Sequence, residues 1–137
     1  MIELSNTNAQ VLAAGQSVIF DTVLLHTGCG ECHRPNSGSV NLTRKNAIYE
    51  ISYNANIGNT TTGDAQLAIT LDGSPLSETT GKVVTATAGD LQNVSASTFI
   101  QTCCCNTANS ILLTNTGTTE INVDISPRLS VKRIAWK

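Results

Sequence analysis

The chain has 137 residues, a formal net charge of −2 and a sequence pI near 5.5. That length is one ordinary domain, able to bury a core without staples, and the charge excludes a global pull toward nucleic acid or anionic membrane. Apolar residues make up 40% and charged residues only 13%, so neutral threonine, serine and asparagine must cover the surface. Threonine favours strands and asparagine favours turns, which points away from helix. The basic residues gather only at Lys132, Arg133 and Lys137.

In chain order, Met1 to Gln16 carries Glu3, Asn6, Asn8 and Gln10, with no basic start and no apolar run, so no export signal is expected. No segment approaches the roughly 20 apolar residues of a membrane helix. Ser5 to Gly15 reads as a lead-in strand or arm. Val18 to Leu25 is β-branched and apolar, and is expected to be a strand covered on both sides. The stretch Thr27 to Ser39, broken by Gly28, Gly30, Pro35, Asn36 and Gly38, reads as a loop.

The central strand follows. Ala47, Tyr49, Ile51, Tyr53, Ala55 and Ile57 occupy every second position, against Ile48, Glu50, Ser52, Asn54 and Asn56 on the alternate ones. A period of two places one face in a core and the other largely in water. The two tyrosines have the bulk to fill a sandwich, but their hydroxyls must find partners. Ala65, Leu67, Ile69 and Leu71 alternate in the same way, and Asp72-Gly73 fits a two-residue hairpin turn. Pro75 suits an edge strand.

Lys82 to Thr87 is a weak strand and Ala88-Gly89-Asp90 a turn. Val94 to Cys104 places Val94, Ala96 and Ile100 on one face and Phe99 on the other. Ile111 to Thr114, the alternating Ile121, Val123 and Ile125, and Leu129 to Ala135 complete the chain. Eight to ten short strands without a helical period indicate an all-β, antiparallel sandwich or jelly roll. Residues 1–137 form a single domain in this reading, with 1–16 as its arm. The expected core includes Tyr49, Ile51, Tyr53, Leu67, Ile69, Leu112, Leu129 and Val131.

The order Ala14-Gly15-Gln16, the long loop, Ile48 to Ala55, Ala65 to Leu71 with Asp72-Gly73, Leu112 to Asn115, and Pro127 to Ile134 resembles the jelly-roll heads of the complement and tumour-necrosis-factor superfamily. It is most similar to the bacterial and phage branch, found on spore-surface collagen-like proteins and in phage virion fibres or decorations. The resemblance implies a ten-stranded fold and a homotrimer packed around a threefold axis through an apolar inner sheet. The cysteines and the lack of a Gly-X-Y stalk depart from that pattern.

The cysteines are the chemically loaded residues. Cys29-Gly30-Glu31-Cys32-His33 spells C-x-x-C-H, the c-type haem attachment, but in a β context and with Met1 as the only methionine. A closed zinc or iron-sulfur site fits better. Cys29 and Cys32 would supply two ligands, and His33, Cys103 or Cys105 the rest. If Cys103-Cys104-Cys105 is extended, Cys103 and Cys105 face one way and Cys104 the other. The same residues could form disulfides between the Cys29/Cys32 loop and the 103–105 run, or could simply pack as small apolar groups.

No catalytic constellation stands out. His26 and His33 lie near the cysteines without an orienting acid. Asp64, Asp72 and Asp90 read as turn residues. Trp136 reads as a packing cap.

The expectation is therefore a non-enzymatic structural or adhesive trimer without a required cofactor. The resemblance points to a bacteriophage head-fibre or capsid-decoration protein, made in the host cytoplasm and carried on the virion surface. Its partners would be its own copies, the capsid, and a host glycan or surface protein. The alternatives are a small metal or redox protein using the cysteine cluster, and a bacterial spore or cell-surface adhesion module.

Overall fold

The computed structural model describes every residue except Cys29, 104–108 and Lys137, and every side chain of the rest except that of Trp136. Thirteen strands occur among the described residues: β1 (Ile2–Ser5), β2 (Gln10–Leu12), β3 (Thr22–His26), β4 (Glu31–His33), β5 (Val40–Leu42), β6 (Ala47–Asn59), β7 (Gly63–Leu71), β8 (Ser74–Pro75), β9 (Gly81–Thr85), β10 (Gln92–Gln101), β11 (Asn109–Thr114), β12 (Ile121–Val123) and β13 (Arg128–Trp136). A 3-10 turn at Ser77–Thr79 is the one helical element among them.

The strands form two antiparallel sheets. Sheet A runs β2-β12-β6-β13-β1-β3, with β10 on the other side of β6; sheet B runs β4-β5-β11-β7-β8, with β9 also on β7. Strand β6 is the axis of sheet A. Its odd residues Tyr49, Ile51 and Tyr53 are 0–3% exposed, as the alternation predicts, and Ile51 lies opposite Val131 on β13 and Thr98 on β10. Burying each such side chain contributes about 1.5–3 kcal/mol. Ile69, Leu67, Ile111 and Leu113 face it from sheet B.

Asp72 and Gly73 both take positive φ, 51° and 89°, and close the β7–β8 hairpin. A methyl group on Gly81 would sit 2.7 Å from Val94 Cβ and 2.8 Å from the Tyr53 hydroxyl, so only glycine lets β9 close on the core there.

Three expectations need correction. The run Val18 to Leu25 is divided between the sheets. Val18 donates its amide to Leu113 on β11 and Phe20 bridges Ser37, both side chains being buried, but after Asp21 the chain becomes β3, the edge of sheet A. There Val23, Leu24 and Leu25 are 41–49% exposed rather than covered. Six of the eight residues from Val18 to Leu25 are apolar, and the two that are not, Asp21 and Thr22, stand where the chain changes sheets. Leu112 is half-buried, because Ile111 and Leu113 take the inward positions of β11. The stretch 27–39 is not all loop, since β4 lies within it and pairs with β5.

Within residues 1–16, β1 lies inside sheet A between β13 and β3, and β2 pairs with β12. Residues 27–28, Gly30, 43–46 and 102–103 lie at one end of the sandwich, and the connections 13–16, 60–62, 86–91 and 115–120 at the other. Met1 and Trp136 both lie toward the first end.

Candidate functional site

The first end holds the cysteine-bearing segments. The carbonyl of Gly30 accepts from the Tyr49 hydroxyl and from the Thr43 amide, both at 2.9 Å. Thr102 donates its amide to Ala47 O at 2.9 Å and its hydroxyl to Arg44 O at 2.7 Å, and that hydroxyl accepts from the Ala47 amide at 3.0 Å. The turn between β5 and β6 thus ties together the segment that precedes Cys32 and the one that leads to Cys103.

Cys29 and Cys105 lie outside the described residues, as does Cys104. Cys103 is exposed. Cys32 is also exposed, whereas Glu31 is buried and His33 half-buried. Because alternate strand residues point to opposite faces, Cys32 and His33 project from opposite sides of β4. They are not arranged to hold one ion together or to act as a nucleophile and base. Among the described residues, no three His, Cys, Asp or Glu side chains gather as a metal-binding group.

His33 is the most metal-like member. Its Nδ1 lies 2.9 Å from the carbonyl of Ser39, which can only accept, so Nδ1 carries the proton and Nε2 presents a lone pair. Among the described residues, the buried Nε2 has no hydrogen-bond partner. An imidazole fixed in this tautomer by a backbone carbonyl is the usual form of a metal ligand. At the end of β3, His26 Nε2 approaches Glu31 O at 3.2 Å.

Sequence reasoning missed Glu31. Its carboxylate is buried and pairs with the Met1 ammonium at 3.2 Å, at the edge of a recess that also includes Thr27, Gly28, Lys132 and Arg133. Burial raises the pKa of the nearby Tyr49 phenol, and the negative charge of Glu31 adds to the rise.

Two further surfaces stand out. On the outer face of sheet A, a trough of about 320 Å³ is floored by Ser52, Ser95 and Ser97 and bordered by Asn54 and Arg128. Phe99, 63% exposed, lies on the same face of β10. On sheet B, at the end away from the cysteines, a polar recess of about 500 Å³ is lined by Asp64, Gln66, Lys82 and the Thr116–Thr119 loop. Asp64 and Lys82 form a 3.0 Å ion pair there.

No protein-family model matches the chain, and no curated protein matches its sequence. Solved structures do. The globular domain of zebrafish complement 1qA superposes with a TM-score of 0.65 at 10% identity, covering 99% of this chain and 98% of that one. Murine APRIL gives a TM-score of 0.62 at 10% identity over 97% of each chain. The vertex protein P5 of PRD1 gives 0.53 at 16% identity over 97% of this chain and 95% of its own. The two antiparallel sheets and these superpositions establish the fold as an all-β jelly roll, the fold of complement 1qA and APRIL.

Proposed function

We propose that this protein is a non-enzymatic structural and adhesive module that assembles as a homotrimer through the outer face of sheet A. Its role in this reading is that of a bacteriophage head-fibre or capsid-decoration protein, exposing loops to a host surface or glycan. The observation that carries the reading is the asymmetry of that face. At one edge the exposed Leu25 stands opposite Glu3 on β1, on the outer face, and at the other edge a trough lies beside the exposed Phe99. An exposed leucine and a trough at opposite edges of one face suit a heterologous contact that closes into a ring. Strand β10, the edge on the trough side, has ten residues without charge, proline or bulge, and so lacks the devices that keep sheet edges apart. The fold shared with a virion vertex protein supports a place on a virion, and a bacterial cell or spore surface is the alternative.

Native mass spectrometry of protein prepared under reducing, chelator-free conditions tests this. Three chains are expected for the wild type, and single chains with an unchanged far-UV spectrum for Phe99→Glu or Leu25→Glu. A wild-type monomer at micromolar concentration overturns the assembly.

A second reading, a structural zinc or iron-sulfur site at the cysteine end, is favoured by the buried Nε2 of His33, which has no partner among the described residues. The same spectrum reads it as added metal mass that His33→Ala removes.

A further inference from the structure

We infer that the recess on sheet B formed by Asp64, Gln66, Lys82 and the Thr116–Thr119 loop is a binding site for a neutral saccharide. The inference deepens the adhesive reading above and rests on it.

The recess is built rather than incidental. Two almost fully buried amides, Asn59 and Asn115, fix its walls. Asn59 Nδ2 donates to Asp64 O at 2.7 Å and to Thr119 Oγ1 at 2.9 Å, and its Oδ1 accepts from the Thr61 amide at 3.0 Å. Asn115 Nδ2 donates to Leu12 O at 3.1 Å and to Thr119 O at 2.9 Å, and its Oδ1 accepts from the Gly117 amide at 3.0 Å. Thr119 donates to Asp64 O at 3.0 Å and Gln66 to Thr116 Oγ1 at 2.9 Å, which stitches the loop to the first residues of β7. A threonine-rich loop held this way loses little freedom when a ligand arrives.

The lining selects the chemistry. One carboxylate and one ammonium cancel, so neither an anion nor a cation is preferred. The carboxylate accepts, the ammonium donates, and the amide and threonine hydroxyls do both. Neighbouring sugar hydroxyls, each a donor and an acceptor, match such a set. The Asp64–Lys82 pair is more than half exposed on both sides, so it contributes little to stability and opens at little cost to take ligand hydroxyls. The recess is on the sheet opposite the proposed trimer face, and assembly leaves it open.

The test is an amide-resolved NMR titration of the intact protein with glucose, galactose, N-acetylglucosamine and rhamnose. At least one sugar should shift the amides of Asp64, Gln66, Lys82 and 116–119. Affinity should fall about tenfold or more in Gln66→Ala/Lys82→Ala and in Thr118→Val, the latter altering a single exposed side chain, and should persist in Arg128→Ala on the other sheet. Shifts confined to another surface overturn the site while leaving the adhesive reading intact. No shift with any of the four overturns the inference. The trimer is scored separately by light scattering on the same samples.

Discussion

The phenolic hydroxyl of Tyr53 on β6 donates to the main-chain carbonyl of Thr79 at 2.6 Å, with Leu67 O a second acceptor at 3.3 Å. Thr79 is itself fully buried, and its hydroxyl donates to Leu76 O while accepting from the Ile69 amide. One phenol therefore joins the axis of sheet A to β7 and the 3-10 turn. Tyr53→Phe should lower stability by about 1–3 kcal/mol, because Thr79 O loses a buried donor. Equilibrium urea unfolding measures the loss.

Burial also pushes the Tyr53 phenol from its usual value near 10 up to about 12. The folded pKa lies above the unfolded one, so the protonated phenol's contribution is fully present below about pH 10 and is lost as pH rises through about 12. Alkaline unfolding followed by tyrosinate absorbance should show Tyr53 ionising late, and Tyr53→Phe should flatten the pH dependence of stability in that window.

Ile51→Asp should abolish folding. Ile51 is fully buried between β10 and β13, and an unpaired carboxylate there costs several kcal/mol. Ile51→Val should cost only about 0.5–1.5 kcal/mol. Circular dichroism melts separate the two, and a soluble, cooperatively melting Ile51→Asp variant would count against the placement of β6.

Asn115→Ala should cost about 2–4 kcal/mol, since it strands the carbonyls of Leu12 and Thr119 and the amide of Gly117. Hydrogen exchange should accelerate first in the loop 116–119, ahead of β6.

Cys32 should react with a maleimide in the native state, because its side chain is exposed. Cys32→Ser should then change stability by less than about 0.5 kcal/mol. Modification seen only above the unfolding midpoint would contradict the orientation of β4.

Much of the fold is legible in the sequence where one period governs a long strand. The alternation from Ala47 to Ile57, the Asp72-Gly73 turn and the opposed faces of Val94 and Phe99 all appear in the structure as expected. What escapes is whatever depends on a distant partner. Strand β4 has three residues amid glycines and is a strand only because β5 pairs with it. Ile125 continues the alternation of Ile121 and Val123, yet is 54% exposed because β12 ends at Val123.

The candidate sites follow the same rule. The C-x-x-C-H spelling from Cys29 to His33 suggests a ligand set completed by Cys103 or Cys105; extended geometry shows only that Cys32 and His33 leave β4 on opposite faces. The recess on sheet B has no sequence signature, because Asn115 meets Leu12 from 103 residues away.

Because Met1 and Trp136 both approach the cysteine end, the molecule has a direction. An affinity handle or fluorophore fused at either end would hang beside the cysteines and leave the threonine-lined recess facing away from the support. Immobilised through an end in this way, the protein would form an oriented layer, with every recess presented to whatever flows past.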